Sequence, residues 1–302
     1  MATIYITESG ITLTRTDGRV VLKKLGVVQE EVPLIHVERI IVLQDASMTT
    51  PLVKYALKNG IEVAYLSPQG TYYGHLQGGL DKDVSIRQGQ YRMWSEPSSR
   101  LEVAKALLAG KLENNLSFLR GLENSKVRVD LSSIEDVLRR IPTARSPDVL
   151  QGYDTNSAAA YNQLLRKFIG TVEGSLGGFF ALGCGLLYSS LQWAITRVGL
   201  DPAMGFLRSG GNGPSLLAYD LMGEWRAMVV DRLLVSMAHS EEAPDLKGFL
   251  QRFEDCLEAE VLHPRLGYRT SLRRSIELQV RHFADVMVGK EKTYQPLPIT
   301  GN

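Results

Sequence analysis

The sequence predicts an α+β protein: an N-terminal β domain with one short helix, followed by a larger all-α C-terminal domain. Two patterns and the break between them carry this expectation. Through about residue 78, apolar residues alternate with polar ones at a period of two, as in half-buried strands. The tripeptide Gln77-Gly78-Gly79 then interrupts the pattern. Beyond it the apolar spacing becomes helical and stays so to about residue 290.

In the first part, Thr3–Thr7 and Ile11–Thr14 read as strands, and Asp17-Gly18 before Val20-Val21-Leu22 is a hairpin signal, because type I′ turns need positive φ. Val32–His36 and Arg39–Leu43 are the next expected strands. Thr49-Thr50-Pro51 offers an N-cap and an early helical proline, and Asn59-Gly60 offers a left-handed stop, so the one short helix lies between them. Ile61–Leu66 and Thr71–Leu76 follow as strands around the turn Ser67-Pro68-Gln69-Gly70.

Four segments are expected: a β domain over 1–78, a linker and the start of the helical part over 79–97, a helical domain over 98–290, and a Pro-rich, extended tail over 291–302. Ser98-Ser99 reads as the cap of a long helix through Leu116. Later helices are expected near 133–141, 146–169, 175–198, 215–238, 243–261 and 270–288.

Composition narrows the function only slightly. The 34 Lys and Arg against 33 Asp and Glu leave a net charge of +1, so nucleic acid would have to be bound by local patches and not by a global field. No apolar run suggests a membrane span, and MATIYITESG lacks the basic and apolar regions of an export signal. Cys184 and Cys256 lie far apart in apolar helical segments and read as buried thiols. These features predict a cytoplasmic protein with no membrane partner.

Blocks of specific residues go further. The first half carries Leu34–Ile41, Thr49–Ala56, Asn59–Leu66, Gln90-Tyr91-Arg92, Leu101–Lys105 and Lys111-Leu112-Glu113-Asn114. The second half carries Leu150-Gln151-Gly152-Tyr153-Asp154, then Leu182–Tyr188, Gly199–Arg208 and Pro214–Met222 running on to Glu224, Arg226 and Asp231. In this order and spacing the chain resembles the CRISPR-associated spacer-acquisition integrase/endonuclease family, over nearly its whole length.

The resemblance implies a DNA integrase that joins the 3′ ends of a prespacer to the CRISPR repeat by metal-dependent transesterification. It also implies a homodimer formed through the N-terminal β domain, two such dimers flanking a small ferredoxin-like partner, and double-stranded and branched DNA as substrate. The family's oxygen and imidazole ligands suit Mg²⁺ or Mn²⁺.

The same resemblance locates the site and shows where this chain departs from it. The family's first ligand, a Glu just before a helix, corresponds to Asp154, followed by Thr155 in place of Gly. Aspartate is shorter by one methylene, about 1.5 Å of bond length. The second ligand, a His, corresponds to Arg208, which has no lone pair to give a cation. The third, an Asp, is Asp220. An acidic residue often found three positions later is here Gly223, and Glu224 shares a helix face with Asp220 as a candidate outer carboxylate. His36, His75, His239, His263 and His282 match no ligand position, and Glu173 reads as a loop residue.

Two readings of Asp154, Arg208 and Asp220 stay open. Either the guanidinium takes the place of the metal and bridges both carboxylates, or a rearranged metal site with Asp154, Asp220 and Glu224 survives. The first makes the chain an inactive DNA- or partner-binding subunit; the second makes it an integrase. A scaffold unrelated to nucleic acid is the third alternative. Arg166, Lys167, Arg197 and Arg226 flank the site as candidate phosphate contacts, and Arg265, Arg269, Arg273, Arg274 and Arg281 form a second candidate cluster. Tyr188 and Trp193 read as core residues.

Overall fold

The computed structural model describes residues 2–79, 83–123, 128–170, 175–208, 215–240, 245–263 and 265–298. The chain divides into two compact units, Met1–Asp81 and Lys82–Asn302.

The first unit is built of eight strands and one helix: β1 (Ala2–Ile6), β2 (Ile11–Thr16), β3 (Arg19–Lys24), β4 (Val27–Pro33), β5 (Val37–Val42), β6 (Ala46–Met48), α1 (Thr50–Asn59), β7 (Glu62–Leu66) and β8 (Tyr72–His75). They form two four-stranded sheets, ordered β1-β5-β7-β8 and β4-β3-β2-β6. The alternation of strand residues puts Ile4, Ile6, Leu13, Val20, Ile40 and Val63 into one core with Leu52 and Ala56 of α1.

Asp17 and Gly18 take the expected positive φ of 47° and 76°, and β2 pairs β3 across them. A second such turn at Leu25 and Gly26 starts β4 five residues before the expected strand Val32–His36, and β4 ends at Pro33. Leu34–His36 is a short 3-10 turn instead. Gly60 ends α1 at φ 67°, while Thr49 begins it through its backbone carbonyl, with no side-chain cap.

The second unit is mostly helical: α2 (Val84–Ser95), α3 (Pro97–Leu122), α4 (Ser132–Arg140), α5 (Pro147–Ile169), α6 (Ser175–Val198), α7 (Leu216–Arg226), α8 (Arg232–Ala238), α9 (Leu246–Glu258) and α10 (Leu272–Met287). The segment read as a linker and the start of the helical part carries one defined helix, α2, capped by Asp83. Glu96, not Ser98 or Ser99, caps α3, because its carboxylate accepts the N–H groups of both serines and Pro97 fills the first helical position.

The single helix expected over 215–238 is interrupted by a π turn at Ala227–Asp231, all five residues of which are buried. The unit is not all-α: β9 (Glu260–His263) and β10 (Tyr268–Ser271) form an antiparallel hairpin between α9 and α10. α6 is long and apolar enough by composition to cross a membrane, contrary to the sequence reading, but 61% of its apolar window is buried by its neighbours within the unit.

The C-terminal segment has no regular structure, yet it is not free. Tyr294 and Leu297 are buried, and Pro296 lies against Gly110 of α3, where even a β-carbon would come within 2.1 Å of the proline ring. Glu173 lies outside the described residues. Tyr188 is buried and Trp193 half-buried, as core residues of α6.

Candidate functional site: a carboxylate pair bridged by protein cations

Four segments of the second unit converge on the site: α3, α5, the loop carrying Arg208 and α7. Ser146 caps α5 by accepting the N–H of Val149, with Pro147 at the first helical position, so the helix starts well before Asp154. Asp154 therefore sits inside α5 and not at its N-terminus, and it is buried.

Asp220 projects from the second turn of α7 beneath the loop that carries Arg208. Its Oδ2 accepts the backbone N–H groups of Phe206 at 2.8 Å and Leu207 at 3.0 Å. Its Oδ1 accepts the N–H of Arg208 at 3.3 Å. Gly205 makes this wrapping possible: a β-carbon there would lie 2.6 Å from Leu216 and 3.0 Å from Asp220 Oδ2.

α2 holds the other side of the same loop. Gln90 accepts the N–H of Asp201 at 2.7 Å and donates to its carbonyl at 2.9 Å. Tyr91 donates to the Asp201 carboxylate at 2.6 Å, and Trp94 donates to the Gly205 carbonyl at 2.8 Å. The first helix of the unit therefore braces the loop that presents Arg208.

Arg208 lies between the two aspartates. Nη2 donates to Asp154 Oδ2 at 2.9 Å, and Nη1 donates to Asp220 Oδ1 at 3.1 Å. A second cation, Lys111 of α3, donates to the other oxygen of Asp154 at 2.5 Å. Its side chain is only 11% exposed, and burial lowers its pKa from the ordinary lysine value while Asp154 opposes that shift.

Two cations and two carboxylates make the cluster neutral, and each oxygen of both carboxylates already accepts a hydrogen bond. Burial pushes the Asp220 carboxyl up to about 6, with the Arg208 charge and the backbone donors pulling against it. Lys111 escapes the sequence reading. It stands in the block Lys111–Asn114 but is not marked there as a site residue; the further signal is a lysine on the apolar face shared with Leu107, Leu108 and Leu112, where an ammonium needs a partner.

Glu224 is not part of this cluster. It is fully enclosed behind α7, where Oε2 accepts from Tyr294 Oη at 2.6 Å and Oε1 from the Leu297 N–H at 2.6 Å. Burial pushes its carboxyl up to about 7. Helical spacing puts Glu224 near Asp220, but the C-terminal segment claims it.

These residues do not fit a divalent metal ion. A metal at Asp154 and Asp220 would have to displace an ammonium and a guanidinium. Among the described residues no three His, Cys, Asp or Glu side chains come together as a metal-holding group, so no imidazole completes the pair of carboxylates.

The candidate phosphate contacts divide. Arg166, Lys167 and Arg197 are exposed and form no ion pair with a described residue. Arg166 lies twelve residues past Asp154 on α5, roughly 18 Å along the helix. Arg226 is instead internal: it bonds Asp231 at 3.2 Å and Asn162 at 3.2 Å, over the ring of Tyr161. Arg273 is 14% exposed and held by Glu254 at 2.6 Å and Glu258 at 2.7 Å. Arg269 is exposed but pairs with Glu260, Arg265 with Glu291 and Arg274 with Glu277, while Arg281 is exposed. The second cluster is thus largely matched by its own acids, a neutralisation that a count of arginines does not reveal.

The family model described as "CRISPR associated protein Cas1" matches residues 4–178 and 179–259. The chain belongs to the Cas1 family. Among its Cas1 relatives, "CRISPR-associated endonuclease Cas1 3" of Thermus thermophilus is 29% identical, covering 98% of this chain and 94% of its own length. "CRISPR-associated endonuclease Cas1 1" of Moorella thermoacetica is 24% identical, covering 94% and 95%. The fold is shared with solved structures: a casposase bound to integration product (TM-score 0.85, 19% identity, 98% of this chain and 93% of that one) and a Cas1 protein from Thermotoga maritima (TM-score 0.81, 18% identity, 97% and 99%). The Cas1 fold is accordingly one of a strand-rich first part and a mostly helical second part, as the sequence predicts.

Proposed function

We propose that this chain is a Cas1-family subunit of a CRISPR adaptation complex that binds double-stranded and branched DNA without performing metal-dependent strand joining. The observation that carries this reading is Arg208 bridging Asp154 and Asp220. A guanidinium is charged at every working pH and cannot donate a lone pair. At an effective dielectric of about 20, a unit positive charge ~4 Å from a divalent ion opposes it by roughly 8 kcal/mol. The integrase expected from the resemblance needs Mg²⁺ or Mn²⁺ where these cations stand.

DNA binding rests on the exposed cations Arg166, Lys167 and Arg197, and is supported by the likeness to a casposase bound to integration product. Assembly with a ferredoxin-like partner is supported by the fold shared with a chain of a Cas6-RT-Cas1–Cas2 complex (TM-score 0.80). A homodimer through the first unit is supported by the exposed apolar residues Leu25, Val27 and Val28 on and before the edge strand β4, with Ile35 just beyond it.

The test is to measure branched-DNA binding and strand joining on the same preparation, in Mn²⁺ and in a chelator. Binding without joining in both conditions is the expected result. Mn²⁺-dependent joining that is abolished by Asp154→Asn would overturn the reading and make the chain an active integrase.

A further inference from the structure

We propose that Lys111 is a second locking cation, seated on the bare backbone of Gly223, and that it and Arg208 together keep a divalent cation out. The inference rests on the cation-bridged reading of the site and adds to it a residue, a seat and a rule for reopening it.

Lys111 takes Asp154 Oδ1 and Arg208 takes Asp154 Oδ2, so a third cation approaching either oxygen meets a positive charge already seated there. The two cations reach it from different elements, α3 and the loop carrying Arg208. Removing one therefore leaves the other in place.

The seat is specific. The aliphatic stem of Lys111 crosses α7 at Gly223, where a β-carbon would lie 2.9 Å from Cδ, 3.2 Å from Cγ and 3.4 Å from Cβ of the lysine. The stem has little freedom to move aside, because its ammonium is fixed on Asp154. Glycine is otherwise a poor choice inside α7, where alanine would favour the helix. Gly223 thus gives up helix stability at a position where a β-carbon would press on the stem of Lys111. On the preceding residue of α3, Gly110 receives Pro296 in the same way, so the helix is closely covered on both sides of the lysine backbone.

Two measurements test the proposal. In the first, thermal denaturation follows Gly223→Ala in the wild-type and in the Lys111→Ala background. We expect Gly223→Ala to lower Tm in the wild type and to raise it once the lysine stem is gone. The same sign in both backgrounds would overturn the seat. Should Lys111→Ala fail to fold because Asp154 has lost one of its two cations, the same comparison in the Asp154→Asn background, which removes the carboxylate charge, decides it.

In the second, Mn²⁺ is titrated calorimetrically into Arg208→His and into Arg208→His/Lys111→Ala, and Tm is read with and without the ion. The double variant is expected to bind Mn²⁺ about tenfold or more tighter than Arg208→His and to gain Tm with the metal. Equal binding by both, or none by a folded double variant, would overturn the two-cation lock. Mn²⁺ binding by the wild type would instead contradict the proposed function, so the two failures are distinguishable.

Discussion

Glu224 accepts a 2.6 Å hydrogen bond from Tyr294, which ties the C-terminal segment to the helix carrying Asp220. Asn114 of α3 reinforces it by donating to the carbonyls of both Glu224 and Leu297 at 3.0 Å. The segment is therefore a strap over the back of the site.

This carboxylate makes the stability of the strap depend on pH. Burial raises the Glu224 pKa to about 7 in the folded chain, above its ordinary value of 4.5. The folded state thus holds a proton that the unfolded state releases. The stabilisation is fully present below about 4.5 and is lost as the pH rises through 7. The contribution is on the order of 2–3 kcal/mol. Glu224→Gln, a permanent mimic of the neutral acid, should gain in Tm relative to the wild type as the pH rises from ~5 to ~8. Parallel Tm–pH curves for the two proteins would contradict this.

Asp220→Ala should be strongly destabilising, by about 3–5 kcal/mol, because it strips partners from the N–H groups of Phe206 and Leu207 and leaves Arg208 with one carboxylate. Urea denaturation measures it. A destabilisation below about 1 kcal/mol would show that the loop carrying Arg208 does not depend on Asp220.

For DNA, the exposed and the matched arginines should separate. Joint replacement of Arg166, Lys167 and Arg197 by glutamine should weaken branched-DNA binding. It should also reduce the slope of log K against log salt by up to about 0.9 for each phosphate that is no longer neutralised. Arg273→Gln should leave that slope unchanged, because Glu254 and Glu258 already hold the guanidinium. Fluorescence anisotropy over a salt series reads both, and equal slopes for the two variants would refute the assignment.

Light scattering tests the dimer. Val28→Glu together with Ile35→Glu, on the exposed apolar surface beside β4, should convert a dimer to a monomer with an unchanged circular dichroism spectrum. An unchanged mass would move the dimer interface elsewhere.

Much of this architecture is legible in the sequence, and the failures share a cause. Period-two alternation and the Asp17-Gly18 and Asn59-Gly60 turns are local signals, and they locate most of the first unit to within a few residues. Asp154, Arg208 and Asp220 come to notice because they stand in specific blocks. The misses depend on partners distant in the chain. Lys111 makes sense only beside Asp154, 43 residues away, and Glu224 only beneath Tyr294, 70 residues away. α2 is hidden because its buried face is glycine and glutamine, Gly89 and Gln90, with no apolar stripe to announce it. The β9–β10 hairpin carries charges and exposed apolar residues in no alternating order, so its strand period is weak.

The most direct test of the central claim is calorimetric titration of Mn²⁺ into the unmodified protein, followed by Tm with and without the ion. Lys111 and Arg208 on Asp154 and Asp220 predict no saturable binding in the micromolar range and no gain in Tm. One tightly bound Mn²⁺ per chain, abolished by Asp154→Asn, would show that the cations move aside and that the carboxylates hold a metal.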